Sequence, residues 1–274
     1  AACLALAAAW IERHLGDAVI VAMAADHVIR DAAGLRRCLR QAEAVAAAHP
    51  ALVVIGIEPT RAETGFGYIE AGSAIAAGGG ARWVRRFHEK PDAATARRYL
   101  RSGRHLWNAG IFVWRGSVFA AAMQQCAPAY AAKLAPLFAG EEVDRARLTR
   151  AYRALPAQPV DVALLQAIAA RADAVARVAV VGATFDWLDA GSWAAMPDVW
   201  GTDADGNAVR GRVVSIAAGG NVVAAGDRLV VLVGVDGLVV ADAGDALLVC
   251  RRDAAQAVRD VPAELRRRGL GRYT

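Results

Sequence analysis

The sequence predicts an α/β domain followed by a small β-rich domain. Up to about residue 200, short Val- and Ile-rich runs alternate with longer Ala-rich segments of helical periodicity. After Thr202 that periodicity ends, and short Val-rich runs alternate with turns of Gly, Asp and Asn. A chain of 274 residues is long enough for one large domain with a smaller appendage. We therefore predict two domains, residues 1–200 and residues 201–274.

The order of elements near the start predicts a strand–helix–strand unit. The apolar run 18–23 predicts a buried parallel strand, and the run 52–57 predicts a second one. Between them a helix is expected over 34–48, ending before Pro50. The expected connection is a right-handed crossover. A further helix, over 2–15, precedes this unit.

The remaining elements follow from the same patterns. The other strands expected in the first domain are 68–70, 82–87, 110–114 and 175–181, the first two antiparallel and joined by the glycine turn 78–80. The other helices expected there are 93–102 and a helical stretch over 118–170 with breaks near Pro128, Pro136 and Pro156. In the second domain we expect strands over 212–216, 221–224, 229–234, 238–242 and 246–250, and a closing helix over 254–267.

The distribution of charge and of apolar residues argues against nucleic-acid and membrane partners. The net charge is +5, but the arginines are scattered and form no long basic block with interleaved aromatic residues. We therefore favour solvated arginines over a nucleic-acid surface and predict no nucleic-acid partner. The apolar start of the chain is interrupted at Glu12 and Arg13 and is too short to cross a bilayer. It predicts a helix of a soluble domain and no membrane partner.

The cysteines and histidines bear on compartment and metal chemistry. The four cysteines lie far apart with no Cys-x-x-Cys pair, which is typical of small buried side chains in a reducing compartment. The five histidines show no His-x-x-x-His spacing, so we expect no zinc enzyme. Together these patterns favour the cytoplasm.

Two aspartates are candidate metal ligands. Asp26 directly follows a predicted buried strand, and ligands of open α/β sheets bind outside the carboxyl ends of strands. Asp189 lies in a tryptophan-flanked turn with Gly191 and Ser192. Two such carboxylates can hold one Mg²⁺ on a nucleotide phosphate. The alternatives are that Asp26 caps a helix and that Asp189 or Asp186 caps a helix near Ser192.

Glu89 and Lys90 precede Pro91 and form a second candidate pair. Only two of the 32 basic residues are lysines, and a lysine ammonium reaches a phosphate as a compact point charge. Proline favours an extended backbone at Lys90, so the two side chains are expected to point to opposite sides, toward a sugar hydroxyl and a phosphate. A surface ion pair between them is the alternative.

Asn108 and Gly67 complete the candidates that follow from residue type. Asn108 precedes Ala109 and Gly110, and its amide offers a donor and an acceptor to a hydroxyl pair or forms an Asx turn. Gly67, with Gly65, either lets the backbone approach a ligand closely or only turns the loop.

These segments occur together, in order, along the chain. The runs are 25–29 (Ala-Asp-His-Val-Ile), 56–60 (Gly-Ile-Glu-Pro-Thr), 63–69 (Glu-Thr-Gly-Phe-Gly-Tyr-Ile), 89–91 (Glu-Lys-Pro), 107–112 (Trp-Asn-Ala-Gly-Ile-Phe) and 189–193 (Asp-Ala-Gly-Ser-Trp). In this order they resemble the bacterial mannose-1-phosphate guanylyltransferases of the sugar-phosphate nucleotidyltransferase family. The resemblance covers nearly the whole chain and implies a Rossmann-like catalytic domain with a short β-helix-like domain.

The resemblance also implies an activity and residue roles. The expected reaction transfers a nucleotidyl group from GTP to mannose 1-phosphate by in-line attack, giving GDP-mannose and pyrophosphate, with Mg²⁺ as cofactor. Asp26 and Asp189 would hold Mg²⁺, and Lys90 would neutralise the reacting phosphates. The substrate-binding residues would be Gly67, Glu89, Asn108 and Gly110. A homodimer is one assembly that we consider.

Two departures from the family pattern keep an alternative open. The family's nucleotide loop, Gly-x-Gly-Thr-Arg, is not among these residues, so we expect the catalytic domain to lack its N-terminal part in this chain. The family's Asp-x-x-x-x-Glu pattern after the helical insert is Asp161 and Gln166 here. The alternative to an enzyme is therefore an inactive or regulatory homologue that binds sugar nucleotides without turnover.

Overall fold

The computed structural model describes residues 1–134 and 145–274. Contacts divide the chain into two compact units. We call residues 1–24 with 30–186 the sheet unit, and residues 25–29 with 187–274 the tail unit. The boundary predicted after residue 200 stays a prediction.

The strands are numbered in chain order. They are β1 (Val19–Ala22), β2 (His27–Val28), β3 (Ala51–Ile57), β4 (Tyr68–Ala74), β5 (Arg82–His88), β6 (His105–Arg115), β7 (Arg177–Gly182), β8 (Leu188–Asp189), β9 (Ala208–Arg210), β10 (Val213–Ile216), β11 (Val222–Ala224), β12 (Val230–Val233), β13 (Leu238–Asp242) and β14 (Leu247–Arg251).

The helices follow the same convention. They are α1 (Ala2–Leu15), α2 (Ala32–Ala48), α3 (Ala93–Ser102), α4 (Gly116–Cys126), α5 (Pro128–Leu134), α6 (Arg145–Arg153), α7 (Gln166–Ala170), α8 (Met196–Trp200) and α9 (Val261–Arg267). Asp161–Leu165 is a π-helical turn that leads into α7, and Arg252–Asp260 is a 3₁₀ stretch that leads into α9. The predicted break near Pro136 lies outside the described residues. None of the helices that the structure describes is both long enough and apolar enough to span a membrane.

The sheet unit is built on a mixed sheet with the strand order β1-β6-β3-β7-β5-β4. β3 and β7 are parallel, whereas β6 runs antiparallel to β1, β3 and β4. The antiparallel pairing of β4 with β5 confirms the predicted hairpin. The expectation that β1 is a buried strand with a parallel neighbour is wrong: β1 pairs antiparallel with β6, which lies between β1 and β3, and Val21 is exposed. An apolar run predicts a strand, but it does not give the strand's neighbour or its depth in the sheet.

The core of the sheet unit lies where α1, α4 and the π-helical turn pack against the sheet. Its fully buried side chains include Leu52, Trp114 and Phe119, with Leu164 and Leu165 from the π-helical turn.

The cysteines are free thiols in different environments. Cys38 is buried, and burial raises the pKa of its thiol to about 11. The expectation of buried cysteines is wrong for Cys3, which is exposed because α1 turns Leu4, Ala5 and Ala8 toward the core instead.

The tail unit is a short stack of parallel strands. β9, β11 and β13 pair in parallel, as do β10 and β12, and β14 closes the stack antiparallel to β13. Successive coils of one chain that pair in this way form a β-helix. The predicted strands of this unit are confirmed within a few residues, whereas β9 escaped prediction. The closing helix begins as 3₁₀ turns and becomes α-helical only at Val261.

Buried asparagines hold the coils of the tail unit together. The Asn207 side-chain oxygen accepts hydrogen bonds from the backbone N–H and the Nδ2 of Asn221, both at 3.0 Å. Asn221 then donates to the Val235 carbonyl at 2.9 Å and accepts from the Leu238 N–H at 2.8 Å. Each amide thus satisfies backbone groups of the next coil, which otherwise would be buried without partners.

Candidate active site

Gly67 lies where the sheet unit has no room for a side chain. Its carbonyl accepts a hydrogen bond from the Asn108 N–H at 2.9 Å. A Cβ at this position would come within 2.7 Å of Glu89 Oε2 and 3.2 Å of the Phe87 ring. The φ of Gly67 lies outside the left-handed region, so space rather than backbone conformation requires glycine. The approach of the Gly67 backbone to a ligand stays a prediction.

Glu89 follows the end of β5 and is partly withdrawn from solvent. Its side chain is 25% exposed. Burial raises the pKa of Glu89, the negative charge of Asp161 raises it further, and Lys90 opposes the shift. A carboxylate in this position lacks part of its hydration and is ready to accept hydrogen bonds from a polar ligand.

Lys90 departs from the predicted geometry. Its φ is +43°, so the expectation of an extended backbone is wrong. The strand ends at His88, two residues earlier, and the chain turns before Pro91. The Lys90 Nζ lies 3.8 Å from Glu89 Oε1, so the two side chains form the ion pair that was the alternative. The ammonium remains 60% exposed and accessible to a phosphate. A positive φ at a residue before proline is unfavourable, and such strain is common at functional sites.

Asn108 joins the candidate residues through both ends of its amide. Its Nδ2 donates to Asp161 Oδ1 at 2.8 Å, and its Oδ1 accepts from the Gly110 N–H at 3.2 Å. The second bond is the Asx turn that was one alternative for Asn108, and Gly110 has the positive φ of +66° that this turn uses. The strand β6 positions Asn108 next to Gly67 through the backbone hydrogen bond described above.

Asp161 is the residue that residue-type reasoning left out of the site. Burial raises the pKa of Asp161, and the hydrogen bond from Asn108 partly offsets this. It lies at the start of a π-helical turn, a distortion that is frequent at functional sites. The available indication was the Asp161 and Gln166 pair, which the sequence alone presented only as a departure from a pattern. Gly67, Glu89, Asn108 and Asp161 are called the polar cluster below.

Asp26 immediately precedes β2 and Asp189 is the last residue of β8, both in the tail unit. β2 and β8 pair antiparallel with His27 opposite Asp189, so Asp26 is one residue from this pair. Asp189 Oδ1 accepts the Gly191 N–H at 2.9 Å. The His27 ring packs edge-on against Trp187 at 5.4 Å, and its Nδ1 is buried with no hydrogen-bond partner in the described part of the chain.

The alternative roles of Asp26, Asp186 and Asp189 as helix caps differ from the hydrogen bonds that the structure shows. Asp31 caps α2 by accepting the Gly34 N–H at 2.8 Å, so the interpretation of Asp26 as a cap is wrong. Asp186 accepts the N–H groups of Arg30 and Asp31 at 3.0 and 2.7 Å, which lowers its pKa. It therefore fixes the chain just before α2 rather than the helix after Ser192.

The donor set of Asp26 and Asp189 fits Mg²⁺. Both residues offer carboxylate oxygens, the ligands that hard divalent cations prefer. One oxygen of Asp189 is held by a backbone N–H, which orients the carboxylate and leaves its second oxygen for a cation. Lys90 belongs to the sheet unit, and its convergence with these two carboxylates stays a prediction.

Comparison with known proteins defines the class. The family model described as nucleotidyl transferase matches residues 1–205, and the chain belongs to this family. The model described as MannoseP isomerase/GMP-like beta-helix domain matches residues 211–265, in agreement with the parallel coils of the tail unit. The predicted combination of an α/β nucleotidyltransferase domain and a β-helix-like domain is confirmed.

Within that class, the relatives identify a narrower family. The chain is 38% identical over 274 residues to the xanthan biosynthesis protein XanB of Xanthomonas campestris, covering 99% of this chain and 56% of XanB. It is 34% identical over 274 residues to a mannose-1-phosphate guanylyltransferase of Escherichia coli K12, covering 97% and 55%. The chain belongs to the mannose-1-phosphate guanylyltransferase family, as predicted. It spans about half the length of the curated relatives it matches.

A solved structure supports the same assignment. A crystal structure from Thermus thermophilus, described as a mannose-1-phosphate geranyltransferase, superposes with a TM-score of 0.82 at 31% identity. The match covers 97% of this chain and 74% of that one. The likeness therefore extends through both units of the chain.

Proposed function

We propose that the chain catalyses transfer of GMP from GTP to mannose 1-phosphate, with release of pyrophosphate and formation of GDP-mannose. The observation that carries the proposal is the polar cluster, in which Glu89 fills the space that a side chain at Gly67 would occupy. The names of the E. coli and Salmonella relatives, mannose-1-phosphate guanylyltransferases, support the choice of substrates.

The polar cluster is suited to a sugar because it offers acceptors and a donor within one small region. The carboxylates of Glu89 and Asp161 accept hydrogen bonds from hydroxyl groups, and the Asn108 amide can serve both directions. A site that binds hydroxyls through buried polar groups rejects analogues that lack them, because its own groups are then left unpaired. The cluster thus gives the sugar its orientation.

The chemistry at phosphorus requires positioning and charge neutralisation rather than a protein nucleophile. A phosphate oxygen of mannose 1-phosphate forms a bond to the α-phosphorus of GTP, while the bond from that phosphorus to the pyrophosphate oxygen breaks. The exposed ammonium of Lys90 neutralises phosphate charge once it leaves Glu89 for the stronger anion. Asp26 and Asp189 would hold Mg²⁺, which when bound supplies further neutralisation of phosphate charge.

Substitution of Lys90 and Asp189 tests the proposal. We expect Lys90→Ala and Asp189→Ala each to lower kcat by about 10²–10³-fold, the usual effect of removing one group that stabilises transition-state charge. The matched control is Lys133→Ala, since Lys133 donates to the Ala154 carbonyl within the helical region. Pyrophosphate release and GDP-mannose formation are the readouts, and circular dichroism checks the fold. Unchanged pyrophosphate release in both variants would refute the proposal.

Binding without turnover is the second candidate function. The observation that favours it is that Gln166 stands five positions after Asp161, where the family pattern has a glutamate. Calorimetric binding of GDP-mannose, measured alongside turnover on the same preparation, separates the two. Tight binding that Asn108→Ala abolishes, together with no pyrophosphate release, would support the regulatory role.

The remaining expectations concern partners and place. We infer a cytoplasmic location because the proposed substrates are cytoplasmic metabolites and the thiols are free. We expect no nucleic-acid partner. Retention of the chain on DNA that falls steeply as the salt concentration rises would contradict this expectation. Sedimentation analysis tests whether the chain forms a homodimer.

A further inference from the structure

Three strands of the sheet unit bring two histidines and a glutamate together on one face. Glu70 on β4 lies directly opposite His105 on β6, and Tyr68, two residues before Glu70, lies opposite His88 on β5. Residues two apart on a strand share a face, so the three side chains point the same way. One ligand atom from each of Glu70, His88 and His105 lies within 4.8 Å of the others.

The geometry points to a binding site for a transition-metal divalent cation, of the Zn²⁺ class, formed by Glu70, His88 and His105. Two imidazoles with one carboxylate are the donor set of many zinc and related sites, whereas Mg²⁺ and Ca²⁺ prefer oxygen alone. Three protein ligands leave a fourth tetrahedral position for water.

A hydrogen-bond chain sets the tautomer that such a site needs. The Ser102 hydroxyl donates to the Tyr99 carbonyl at 2.7 Å, and the same oxygen lies 2.7 Å from His105 Nδ1. Because the single hydroxyl proton goes to Tyr99, His105 Nδ1 carries the proton of the second bond. Its Nε2 therefore has a free lone pair. Metal-binding histidines are usually oriented by a hydrogen bond from the second ring nitrogen.

An aromatic side chain covers the site. The ring of Tyr99 covers the site from α3, at 4.0 Å from the His105 ring and 5.0 Å from the His88 ring. The ligands are thus preorganised on a rigid sheet under an aromatic cover. Tetrahedral ligands of Zn²⁺ are about 3.3–3.5 Å apart, given bond lengths of about 2.0–2.2 Å, so small side-chain rotations complete the site.

Arg85 is the competing partner. Its Nη1 lies 3.4 Å from Glu70 Oε1. Arg85 is largely exposed and pairs with one oxygen only, so an ion can displace it at little cost. We therefore expect the variant Arg85→Ala to bind metal more tightly than the wild-type chain.

Metal titration of the chelator-treated chain tests the site. Co²⁺ is the probe because its visible absorption reports coordination by nitrogen in a tetrahedral site, and Zn²⁺ should displace it. We expect one Co²⁺ per chain, and a Kd at least tenfold higher in His105→Asn, His88→Asn and Glu70→Gln. Ser102→Ala should weaken binding about 10–100-fold, the usual effect of removing an orienting partner.

Two controls exclude other ligands. His14→Asn removes an exposed histidine whose Nδ1 lies by the Trp10 carbonyl, and Cys3→Ser removes the exposed thiol. Both should bind Co²⁺ as the wild type does. Melting temperatures without metal check the fold, and Zn²⁺ should raise the melting temperature of the wild type but not of Glu70→Gln. Wild-type affinity no higher than that of Glu70→Gln and Ser102→Ala would overturn the proposal, even if His105→Asn fails to fold.

Discussion

The two units use the same residue type, asparagine, in opposite ways. In the tail unit, the amides of Asn207 and Asn221 are fully buried, and their hydrogen bonds go largely to backbone groups or to each other. In the sheet unit, Asn108 is only half-buried, and it joins a backbone N–H to the carboxylate of Asp161. The first arrangement supplies hydrogen-bond partners to backbone groups of the coils. The second holds side chains whose hydrogen-bonding capacity is only partly used.

The difference teaches how to separate a structural polar residue from a functional one. A buried amide saturated by backbone removes the cost of burying peptide groups, and nothing about it favours a ligand. The carboxylates around Asn108 have raised pKa values because burial removes their water, and only a polar ligand would replace that water. The raised pKa values of Glu89 and Asp161 are therefore the reason that we propose the polar cluster as a ligand site.

The largest expected effects come from one substitution made in both units. Asn108→Ala should lower kcat/KM by about 10²–10³-fold, as for other groups that act on the transition state, and should destabilise the chain by about 1–2 kcal/mol because Asp161 loses its hydrogen bond. Asn221→Ala should leave turnover per folded molecule unchanged but destabilise the chain by about 2–4 kcal/mol, because it strands the Val235 carbonyl and the Leu238 N–H.

Steady-state kinetics and urea unfolding on both variants check this exchange of roles. Unfolding of the tail unit has to be measured separately from unfolding of the sheet unit. Hydrogen exchange of the backbone amides in the coils therefore accompanies the urea unfolding. The comparison fails if Asn108→Ala loses as much stability as Asn221→Ala while retaining full activity.

The second prediction concerns the close approach at Gly67. Gly67→Ala should raise KM for mannose 1-phosphate about tenfold, equivalent to about 1.4 kcal/mol, because the new methyl group pushes the Glu89 carboxylate out of place. The matched control is Gly182→Ala, where a Cβ meets open space and φ lies outside the left-handed region. A wild-type KM in Gly67→Ala would show that Glu89 does not contact the sugar.

Most of the fold followed from residue patterns because burial and turns are local. Buried runs such as 52–57 and the proline- and glycine-bounded helix 93–102 were predicted nearly to the residue. The neighbour of a strand was not, as β1 demonstrates, because β1 pairs with β6, a strand distant in sequence. The strand β9 was missed because three residues carry too little pattern.

The candidate site divides in the same way. Gly67, Glu89 and Asn108 were chosen as candidates because each lies beside glycine, proline or large apolar residues, and their roles stay predictions. Asp161 could not be chosen by residue type, since its role depends on a hydrogen bond to Asn108, 53 positions away in the chain. The predicted extended conformation of Lys90 was wrong, because the preference of pre-proline residues is a tendency that tertiary structure overrides. The role of Lys90 at the site stays a prediction.

The third prediction uses pH to compare carboxylates of opposite character. The pKa of Asp161 is raised by burial, so its charge destabilises the folded chain once the pH exceeds the unfolded value of about 3.9. Asp161→Asn should therefore raise the melting temperature at pH 7 by about 1–3 °C, and the gain should vanish near pH 4 as Asp161 becomes protonated in the wild type. Calorimetry across this pH range measures the difference. An Asp161→Asn variant that melts lower at pH 7 would mean that the charge is stabilised by the fold.

The fourth prediction concerns Asp186, whose carboxylate resembles the asparagines of the tail unit because backbone N–H groups hold it. These bonds lower its pKa, so its stabilising contribution is present above about pH 3.9 and is lost as the pH falls through the lower folded value. Asp186→Ala should cost about 1 kcal/mol at pH 7, the usual loss for a capping group, and the cost should shrink only in strong acid. Glu43→Ala, an exposed position on α2, should change stability by less than about 0.5 kcal/mol. Equal melting temperatures for the Asp186 and Glu43 variants would show that the bonds to Arg30 and Asp31 do not stabilise the start of α2.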